Sequence, residues 1–398
     1  MNAQERAATL AISSLFALRM FGMFIILPVF ALHAESLPGG RDYALVGMAL
    51  GAYGLTQALL QVPFGYASDR FGRKPAIVAG LLIFSLGSFV AAWAPDIGWT
   101  IVGRALQGAG AISAAAMALA ADLTRDEVRT KAMAAIGMTI GATFAVSLVA
   151  GPLLQEAIGV PGIFSLTGVL ALAGIALIAR FPAAGASLTR IGRVEGFPGF
   201  RRVLANRQLV RLNYGIFALH AVLMALFVQV PFALRDAGLT PSSHWQVYLP
   251  VIAASVLLLL PALRLADHPV RGKWVFNLGV LGLAIGVSVL AAAGASLAAL
   301  VVGLAVFFAA FTLLEATLPS LVSKFAPPEL RGTAAGVYSS AQFFGAFVGG
   351  AAGGVLAQHA GTAAVFGFGL ALTLLWLLAS VTMAPPPSYH STYSIGET

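Results

Sequence analysis

The side chains best suited to chemistry in this sequence are two titratable residues inside long apolar segments. Glu315 is the carboxylate placed most clearly within such a segment, and His220 lies within another. A carboxyl group in apolar surroundings and an imidazole are both poised to gain and lose a proton. Glu315 and His220 are therefore candidates for proton coupling. The alternatives are a permanent ion pair at Glu315 and a neutral packing role for His220.

Two arginines also lie inside apolar segments, where a charged group is costly and normally faces a cavity or a partner. Arg19 lies in the first segment. Arg104 lies in the fourth, and Gln107 follows it after one helical turn, so the two form a polar face suited to a substrate or a carboxylate. Alternatively, the side chain of Arg19 extends to the membrane interface, and Arg104 is an interfacial anchor.

A short basic turn between two apolar segments is the third candidate. It holds one acid, Asp69, among three cations, and its glycines allow close helix contact and a positive φ. Asp122 ends the fourth segment on the same side, so a cluster of Asp69, Arg73 and Asp122 is possible. The alternative is a solvated loop that only fixes topology. The turn's candidate residues are Gly65, Asp69, Arg70, Gly72, Arg73 and Lys74.

The composition shows which elements must position these side chains. The chain has 398 residues, of which 59% are hydrophobic and 10% charged, and this predicts an all-α, polytopic membrane protein. The absence of cysteine excludes disulfides and thiolate metal sites. The twelve apolar segments span residues 9–33, 44–66, 75–94, 98–121, 132–155, 160–181, 212–234, 245–265, 274–294, 297–321, 333–357 and 362–384.

The basic residues follow the topology of these segments. If the N-terminus lies inside the cell, nearly all of the 23 lysines and arginines fall on the cytoplasmic side, and Arg41 and Arg235 fall outside. Such asymmetry is typical of membrane proteins and predicts that both termini are cytoplasmic. It also accounts for the net charge of +8, so we expect no nucleic-acid partner.

The second half of the sequence repeats the first. Glu127 and Arg129 recur 202 residues later as Glu329 and Arg331, and Arg19 recurs as His220. We therefore expect two six-helix bundles related by a pseudo-two-fold axis, at residues 1–181 and 212–384. A basic linker, 182–211, with short amphipathic pieces connects them, and residues 385–398 are expected to be a disordered cytoplasmic tail.

The fifth segment is rich in glycine. Gly141 and its neighbours are spaced for a tight helix–helix seam, and Gly151 followed by Pro152 is expected to bend the helix. The alternative is plain packing without mechanistic meaning.

The chain resembles the major facilitator superfamily. The loop motif of that family, Gly-x-x-x-Asp-Arg-x-Gly-Arg-Lys, matches at residues 65–74, and its fourth-span motif matches at Arg104, Gln107, Gly108 and Gly110. Gly151 and Pro152 match part of the fifth-span antiporter motif. The whole chain looks most like the bacterial YajR-type branch of the drug:proton antiporters. Those relatives carry a small soluble domain after the twelfth span, which we expect this chain to lack.

The resemblance implies a gate on the cytoplasmic side. Asp69, with Arg73 and Asp122, would lock that side against the N-terminus of the eleventh span, just after Arg331. Protonation of an inner carboxyl, for which Glu315 is the candidate, would release the lock.

These observations favour a secondary transporter that exports hydrophobic, drug-like compounds in exchange for protons. The alternatives are a proton-coupled transporter of a specific metabolite, such as a sugar or an organic anion, and a passive channel or facilitator. We expect no enzymatic activity, because no hydrolase, metalloprotease or phosphate-loop motif is present. We also expect no cofactor. The predicted location is the bacterial inner membrane, where a monomer would contact the lipid bilayer, a small-molecule substrate and protons.

Overall fold

The chain folds into long helices joined by short turns. The structure is a computed structural model that describes residues 1–180, 196–266 and 271–384. The tail at 385–398 and the linker from 182 to 195 lie outside the described residues. The helices are α1 (Ala3–Phe24), α2 (Phe30–Ala34), α3 (Tyr43–Phe71), α4 (Arg73–Ala92), α5 (Ile97–Ala109), α6 (Ser113–Asp122), α7 (Asp126–Ala179), α8 (Gly196–Ala205), α9 (Arg207–Asp236), α10 (Trp245–Ala266), α11 (Gly272–Ala292), α12 (Leu297–Phe325) and α13 (Arg331–Val381).

The helices provide the predicted twelve membrane passes. In the described residues, ten stretches are long and apolar enough to cross a membrane, with α5 and α6 counted together. Helix α7 has 54 residues and α13 has 51. A straight helix of that length would measure roughly 80 Å, far more than the ~30 Å core of a bilayer. Each is interrupted by one glycine with non-helical angles, Gly159 or Gly361, and so supplies two passes.

The two interruptions also show the internal repeat. Gly159 has φ 68° and ψ 171°, and Gly361 has φ 78° and ψ 179°. The two glycines are 202 residues apart, which is the offset that the sequence repeat predicts. Helices α1–α7 form the first half of the molecule and α9–α13 form the second half. Helix α8 lies within the region predicted as the linker.

The fourth pass is not the single helix that the sequence predicts. It breaks between α5 and α6, at residues 110–112. A side chain on Gly80 of α4 would lie 2.2 Å from Ile112, and one on Gly110 would lie 2.3 Å from the carbonyl oxygen of Gly80. The break therefore accompanies a close approach of α4 to the fourth pass, which only glycine permits.

Helix α13 carries two stripes of glycine on different faces. Gly345 and Gly349 face α9, where an added side chain would lie about 2 Å from backbone oxygens. Gly350 and Gly354 face α3 of the first half at similar distances. Small residues let membrane helices pack through their backbones. Helix α13 is thus packed against its own half on one side and against the other half on the adjacent side.

Within the described residues, the contact between α3 and α13 forms a seam that joins the halves near one end of the molecule. Gly47 faces Gly350, Gly51 faces Phe347, and Gly54 faces the carbonyl oxygen of Phe343. We call the end nearest Gly47, where α3 begins, the Tyr43 end. At that end Arg235 of the second half also pairs with Glu35 of the first half at 2.8 Å, and the backbone N–H of Tyr43 donates to Gln358 at 2.8 Å.

The halves are separated at the opposite end, which we call the Gly72 end. Gly332 and Gly336 continue the face of α13 that contacts α3, yet a side chain built on either meets no atom within 4 Å. Gly137 and Gly141 of α7 are open in the same way. The sequence predicts a tight seam at Gly141, and the structure does not place Gly141 in one. The reason is that the start of α7 lies at the end where the halves have moved apart.

Candidate functional site

The motif at the Gly72 end forms a compact ionic cluster. Gly72, with φ 100° as predicted, is the single residue between α3 and α4, so Asp69 and Arg73 lie within helices rather than in a loop. Arg73 donates from Nε to Asp122 at 3.1 Å and from Nη1 to both Ser68 and Asp69. Both carboxylate side chains are 41% exposed. Ion pairs of this kind contribute at most about 1 kcal/mol.

The other residues of this motif surround the cluster. Gly65 contacts Ala114 of the same half, at 3.5 Å from its built side chain. The guanidinium of Arg70 lies 5.4 Å from the ring of Phe71, and Lys74 lies in the first turn of α4. Arg331, on the other half, is exposed and begins α13. In this conformation Asp69 therefore pairs within its own half, with Arg73.

The turn that carries Asp122 is tied to the start of α1. Glu5 accepts bonds from Arg125 Nε at 2.8 Å and Nη2 at 3.3 Å, and it also closes a capping box with Asn2. The bond to Glu5 raises the pKa of Arg125. A cavity of about 260 Å³ adjoins these residues and Asp122. This contact joins residues 120 positions apart, and no local sequence pattern predicts it.

Arg19 lies in a packed hydrogen-bond network of the first half. Only 2% of the residue is exposed. Its Nη1 donates to Ser113 Oγ at 2.6 Å and its Nη2 donates to the side-chain oxygen of Gln57. Gln57 in turn donates to Gln61 at 2.8 Å. The two glutamines therefore connect to a neighbouring helix through Arg19.

Arg104 lies in a second hydrogen-bond network of the first half. It is 1% exposed, and its Nη1 donates to Gln107 at 2.8 Å, while Gln107 donates to Ser88 at 2.8 Å. Both guanidinium groups lie near the ring of Tyr53, with the guanidinium carbon of Arg104 at 5.1 Å and that of Arg19 at 5.9 Å from its centroid. Guanidinium groups at this distance are attracted to the face of an aromatic ring.

The second half holds a cluster of a different kind, His220, Gln342 and Glu315. The side-chain nitrogen of Gln342 lies 2.9 Å from His220 Nε2 and 3.3 Å from Glu315 Oε1. Since an amide nitrogen is a donor, His220 Nε2 is assigned as the acceptor and Nδ1–H donates to the carbonyl of Ile216 at 3.3 Å. His220 is thus a neutral imidazole in this arrangement.

Exposure differs within this second-half cluster. The side chain of His220 is 3% exposed, whereas that of Glu315 is 33% exposed. Glu315 Oε2 lies 3.9 Å from His220 Nε2 and has no hydrogen-bond partner in the described residues. The cluster therefore has one member at an accessible surface and one in the interior.

Gln342 is the member of this cluster that the sequence analysis missed. It is a lone amide in the apolar, glycine-rich first pass of α13. Such an amide needs a hydrogen-bond partner in a membrane interior, and this need is the signal that points to it. Its two partners lie 27 and 122 residues away, so only the fold identifies them.

Aromatic rings cross between the halves next to His220. Phe144 of α7 contacts Phe308 and Phe311 of α12, with ring centroids 6.0 and 5.5 Å apart. Phe311 lies 5.9 Å from the ring of His220. An apolar, aromatic surface therefore adjoins the only described cluster that pairs a histidine with a carboxylate.

Gly151 and Pro152 lie inside α7 without interrupting it. Gly151 packs against the first pass, since its built side chain would lie 2.8 Å from the carbonyl oxygen of Ile25 and from Pro28. The residue with non-helical angles in α7 is Gly159. The packing at Gly151 thus supports contact between α7 and the interrupted region that follows α1.

Sequence comparisons identify relatives of the chain over most of its length. The family model of the Major Facilitator Superfamily matches residues 12–272 and 215–396. The chain is 44% identical over 394 residues to the inner membrane transport protein YajR of Escherichia coli K12, covering 98% of this chain and 86% of that protein. It is 27% identical over 361 residues to the multidrug resistance protein MdtH of Aeromonas hydrophila, covering 88% and 87%.

Solved structures show the same fold. The xylose transporter XylE from E. coli, in an inward open conformation, superposes with a TM-score of 0.74, covers 97% of this chain and 98% of its own, and is 16% identical. These relatives are membrane transporters rather than enzymes, and transporters of this kind need no cofactor. The helical architecture, the internal repeat and the family match agree. The chain belongs to the major facilitator superfamily, and it is a membrane transporter.

Proposed function

We propose that this transporter exports hydrophobic, drug-like compounds in exchange for protons, by alternating access. The observation that carries the proposal is the second-half cluster, in which Glu315 and His220 share Gln342 beside an aromatic surface. Proton antiport requires a group that binds a proton in one state of the cycle and releases it in the state that binds substrate. Intramembrane carboxylates and histidines are the usual carriers in transporters.

The geometry supports a proton shared between His220 and Glu315. Neutral His220 accepts a bond from Gln342 at Nε2. A proton added at Nε2 replaces that bond, and the new N–H can donate to Glu315 Oε2, which is 3.9 Å away and lacks a partner. Because Glu315 is one-third exposed, it is the member that exchanges protons with the aqueous side.

The substrate class is inferred from the aromatic surface and from relatives. Phe144, Phe308 and Phe311 offer stacking faces at the boundary of the two halves. Drug-sized ligands are held mainly by apolar and aromatic side chains with a few polar groups. The chain also resembles proteins named for multidrug resistance, such as MdtH. A hydrophobic compound fits this surface better than a sugar does.

The direction in which the site opens is inferred from charge. The basic residues predict that the Gly72 end and both termini are cytoplasmic. In the present conformation the halves are joined at the Tyr43 end and apart at the Gly72 end. On this orientation we assign the structure to an inward-facing state of a transporter in the inner membrane, and we propose that it acts as a monomer.

The α3–α13 seam predicts how the opposite state closes. Its pairs run antiparallel, from Gly47 with Gly350 to Gly54 with Phe343. Continued past Gly54, this register places Gly65 opposite Gly332 and Gly336. Asp69 then faces the first turn of α13, just after Arg331. A helix N-terminus attracts an acid by about 0.3–1 kcal/mol, and by up to ~2 kcal/mol when partly buried.

The membrane potential supplies more free energy than the attraction between Asp69 and the helix N-terminus. Moving one charge through 100 mV supplies about 2.3 kcal/mol. Protonation of Glu315 under a membrane potential can therefore shift the balance between the two states. Arg73, which also pairs with Asp122, holds Asp69 when the lock is open.

The test is substrate-driven proton movement in proteoliposomes. Lipophilic cations, neutral drugs and organic anions are added to vesicles with an imposed pH gradient while the internal pH is recorded. We expect one class of compound to dissipate the gradient with the wild type and with Glu156→Gln, an exposed matched control, but not with Glu315→Gln. Solute equilibration without proton movement would instead identify a facilitator and reject the proposal.

A further inference from the structure

The first half contains two buried cations whose charge has no opposite partner. Arg19 and Arg104 are 2% and 1% exposed, and no acid of the described residues forms an ion pair with either. Their partners are two amides, a hydroxyl and a backbone carbonyl. Burial of an ionised group without a counter-charge is strongly unfavourable. The proposed proton exchange in the second half gives these arginines no role.

Three hydrogen-bond donors in this region are also unused. Arg19 Nε, Arg104 Nη2 and the Tyr53 hydroxyl are buried and lack any partner in the described residues. Buried donors are nearly always satisfied, so three in one place indicate a missing acceptor. Two of them belong to guanidinium groups that lie 5.9 and 5.1 Å from the centroid of the Tyr53 ring, and the third is the hydroxyl of that ring.

The three residues lie in a column along α3. Arg104 Nε donates to the carbonyl of Ala49, and Arg19 bonds to Gln57, eight residues further along that helix. Tyr53 lies midway, so the three positions on α3 are successive turns of one face. Both positive charges therefore lie near the middle position of this column, Tyr53.

We propose that Arg19, Tyr53 and Arg104 form a buried site for one small monovalent anion. Its ligand is a halide-sized ion or a carboxylate group, either free in solution or part of a transported compound. Guanidinium and phenol donors suit such acceptors, and they interact strongly in a medium of low dielectric. The inference does not rest on the proposed proton exchange.

Access to this anion site depends on the α3–α13 seam. Tyr53 is fully buried, and its ring lies 6.4 Å from that of Phe343, at the last closed turn of the seam. The neighbouring Gly54 touches the backbone of Phe343. The site is therefore covered in the present conformation, and the anion enters when the seam opens at the Tyr43 end.

The experiment measures anion binding to the purified full-length protein at fixed pH and ionic strength, without a proton gradient. Radiolabelled chloride is the probe, sulfate is the background salt, and thermal unfolding is followed by tryptophan fluorescence. We expect saturable chloride binding and a rise in the unfolding temperature, with acetate and bromide as competitors. Arg104→Gln is expected to weaken binding by about tenfold or more, because a charged donor is lost.

Two further variants keep the result interpretable. Tyr53→Phe removes only the hydroxyl and is expected to weaken binding in a protein that still elutes as a folded species. Arg41→Gln, at an exposed position in the loop before α3, is expected to bind like the wild type. If benzoate or naphthoate competes at lower concentration than chloride, the ligand is the carboxylate of a larger compound, and otherwise it is a free ion.

The proposal is overturned if the wild type binds neither chloride nor any carboxylate saturably. It is also overturned if Arg104→Gln and Tyr53→Phe bind chloride as the wild type does. Neither outcome bears on proton exchange at Glu315, which is measured separately.

Discussion

The two halves of the molecule place different groups at equivalent positions. Arg19 of the first half corresponds to His220, 201 residues later, and Ser113 corresponds to Glu315, 202 residues later. In the first half the guanidinium donates to the hydroxyl at 2.6 Å. In the second half the imidazole lies 3.9 Å from the carboxylate. One internal repeat therefore carries a fixed charge bonded to a neutral hydroxyl in one copy and a titratable pair in the other.

The difference separates two roles. A guanidinium keeps its charge at all physiological pH values, so Arg19 is suited to holding a structure or an anion. An imidazole and a carboxylate change charge with protonation, so His220 and Glu315 are suited to coupling. The two arginines are buried, whereas the side chain of Glu315 is one-third exposed. Proton exchange is accordingly expected in the second half alone.

The largest effect is expected for Glu315→Gln. This change keeps the shape of the side chain and the hydrogen bond with Gln342 but removes the titratable group. Proton-coupled transport should fall to the level of protein-free liposomes, while the unfolding temperature changes little. Retained coupling in this variant, with Glu156→Gln active, would contradict the assignment of the second half.

Gln342→Leu tests the connection within the second-half cluster. It leaves His220 Nε2 and Glu315 Oε1 without their shared donor, and an unsatisfied buried group costs about 1–3 kcal/mol. The coupled rate should fall by roughly fivefold to a hundredfold. Gln246→Leu, at an exposed position, serves as the control. Equal rates for both variants would show that Gln342 takes no part.

Ser113→Ala tests the first half. Loss of the acceptor at 2.6 Å from Arg19 Nη1 should lower stability by about 1–3 kcal/mol. We expect a lower unfolding temperature, recorded by tryptophan fluorescence, and proton movement per substrate as in the wild type. The comparison between halves fails if this variant is uncoupled but fully stable.

The smallest effect is expected for Asp69→Asn at the Gly72 end. It removes the charge that faces α13 when the Gly72 end is closed. The ratio of open to closed conformations at that end should therefore rise by about twofold to fivefold. Because the chain has no cysteine, the double variant Lys131→Cys, Ser323→Cys carries spin labels at these two positions only. The distance between the labels is measured. Glu156→Gln, which removes an exposed carboxylate outside the motif, is the control. Identical distance distributions for Asp69→Asn and wild type would dismiss the lock.

Features set by local sequence could be predicted well. The twelve passes, the repeat and the positive φ of Gly72 follow from apolar length and residue type. The pairing of Arg73 with Asp69 follows from a spacing of four residues on adjoining helices. A contact between Arg73 and Asp122 is predicted as possible because the turn and the end of the fourth segment lie on the same side of the membrane.

Features set by packing could not be predicted. Gln342 meets His220 across 122 residues, and Arg19 meets Ser113 across 94. Both contacts depend on how far each helix rotates against its neighbours, which glycine spacing alone does not fix. The same limit explains Gly141, whose spacing predicts a seam but whose position depends on which end of the molecule is open.

The most direct test of the difference between the halves is substrate-induced proton release from the purified protein in weakly buffered detergent solution. A pH indicator would report release after addition of a compound that proved active in proteoliposomes. We expect a proton to be released by the wild type, by Ser113→Ala and by Glu156→Gln, and no release by Glu315→Gln. Release from Glu315→Gln equal to that of the wild type would place the exchanging group elsewhere and contradict the account.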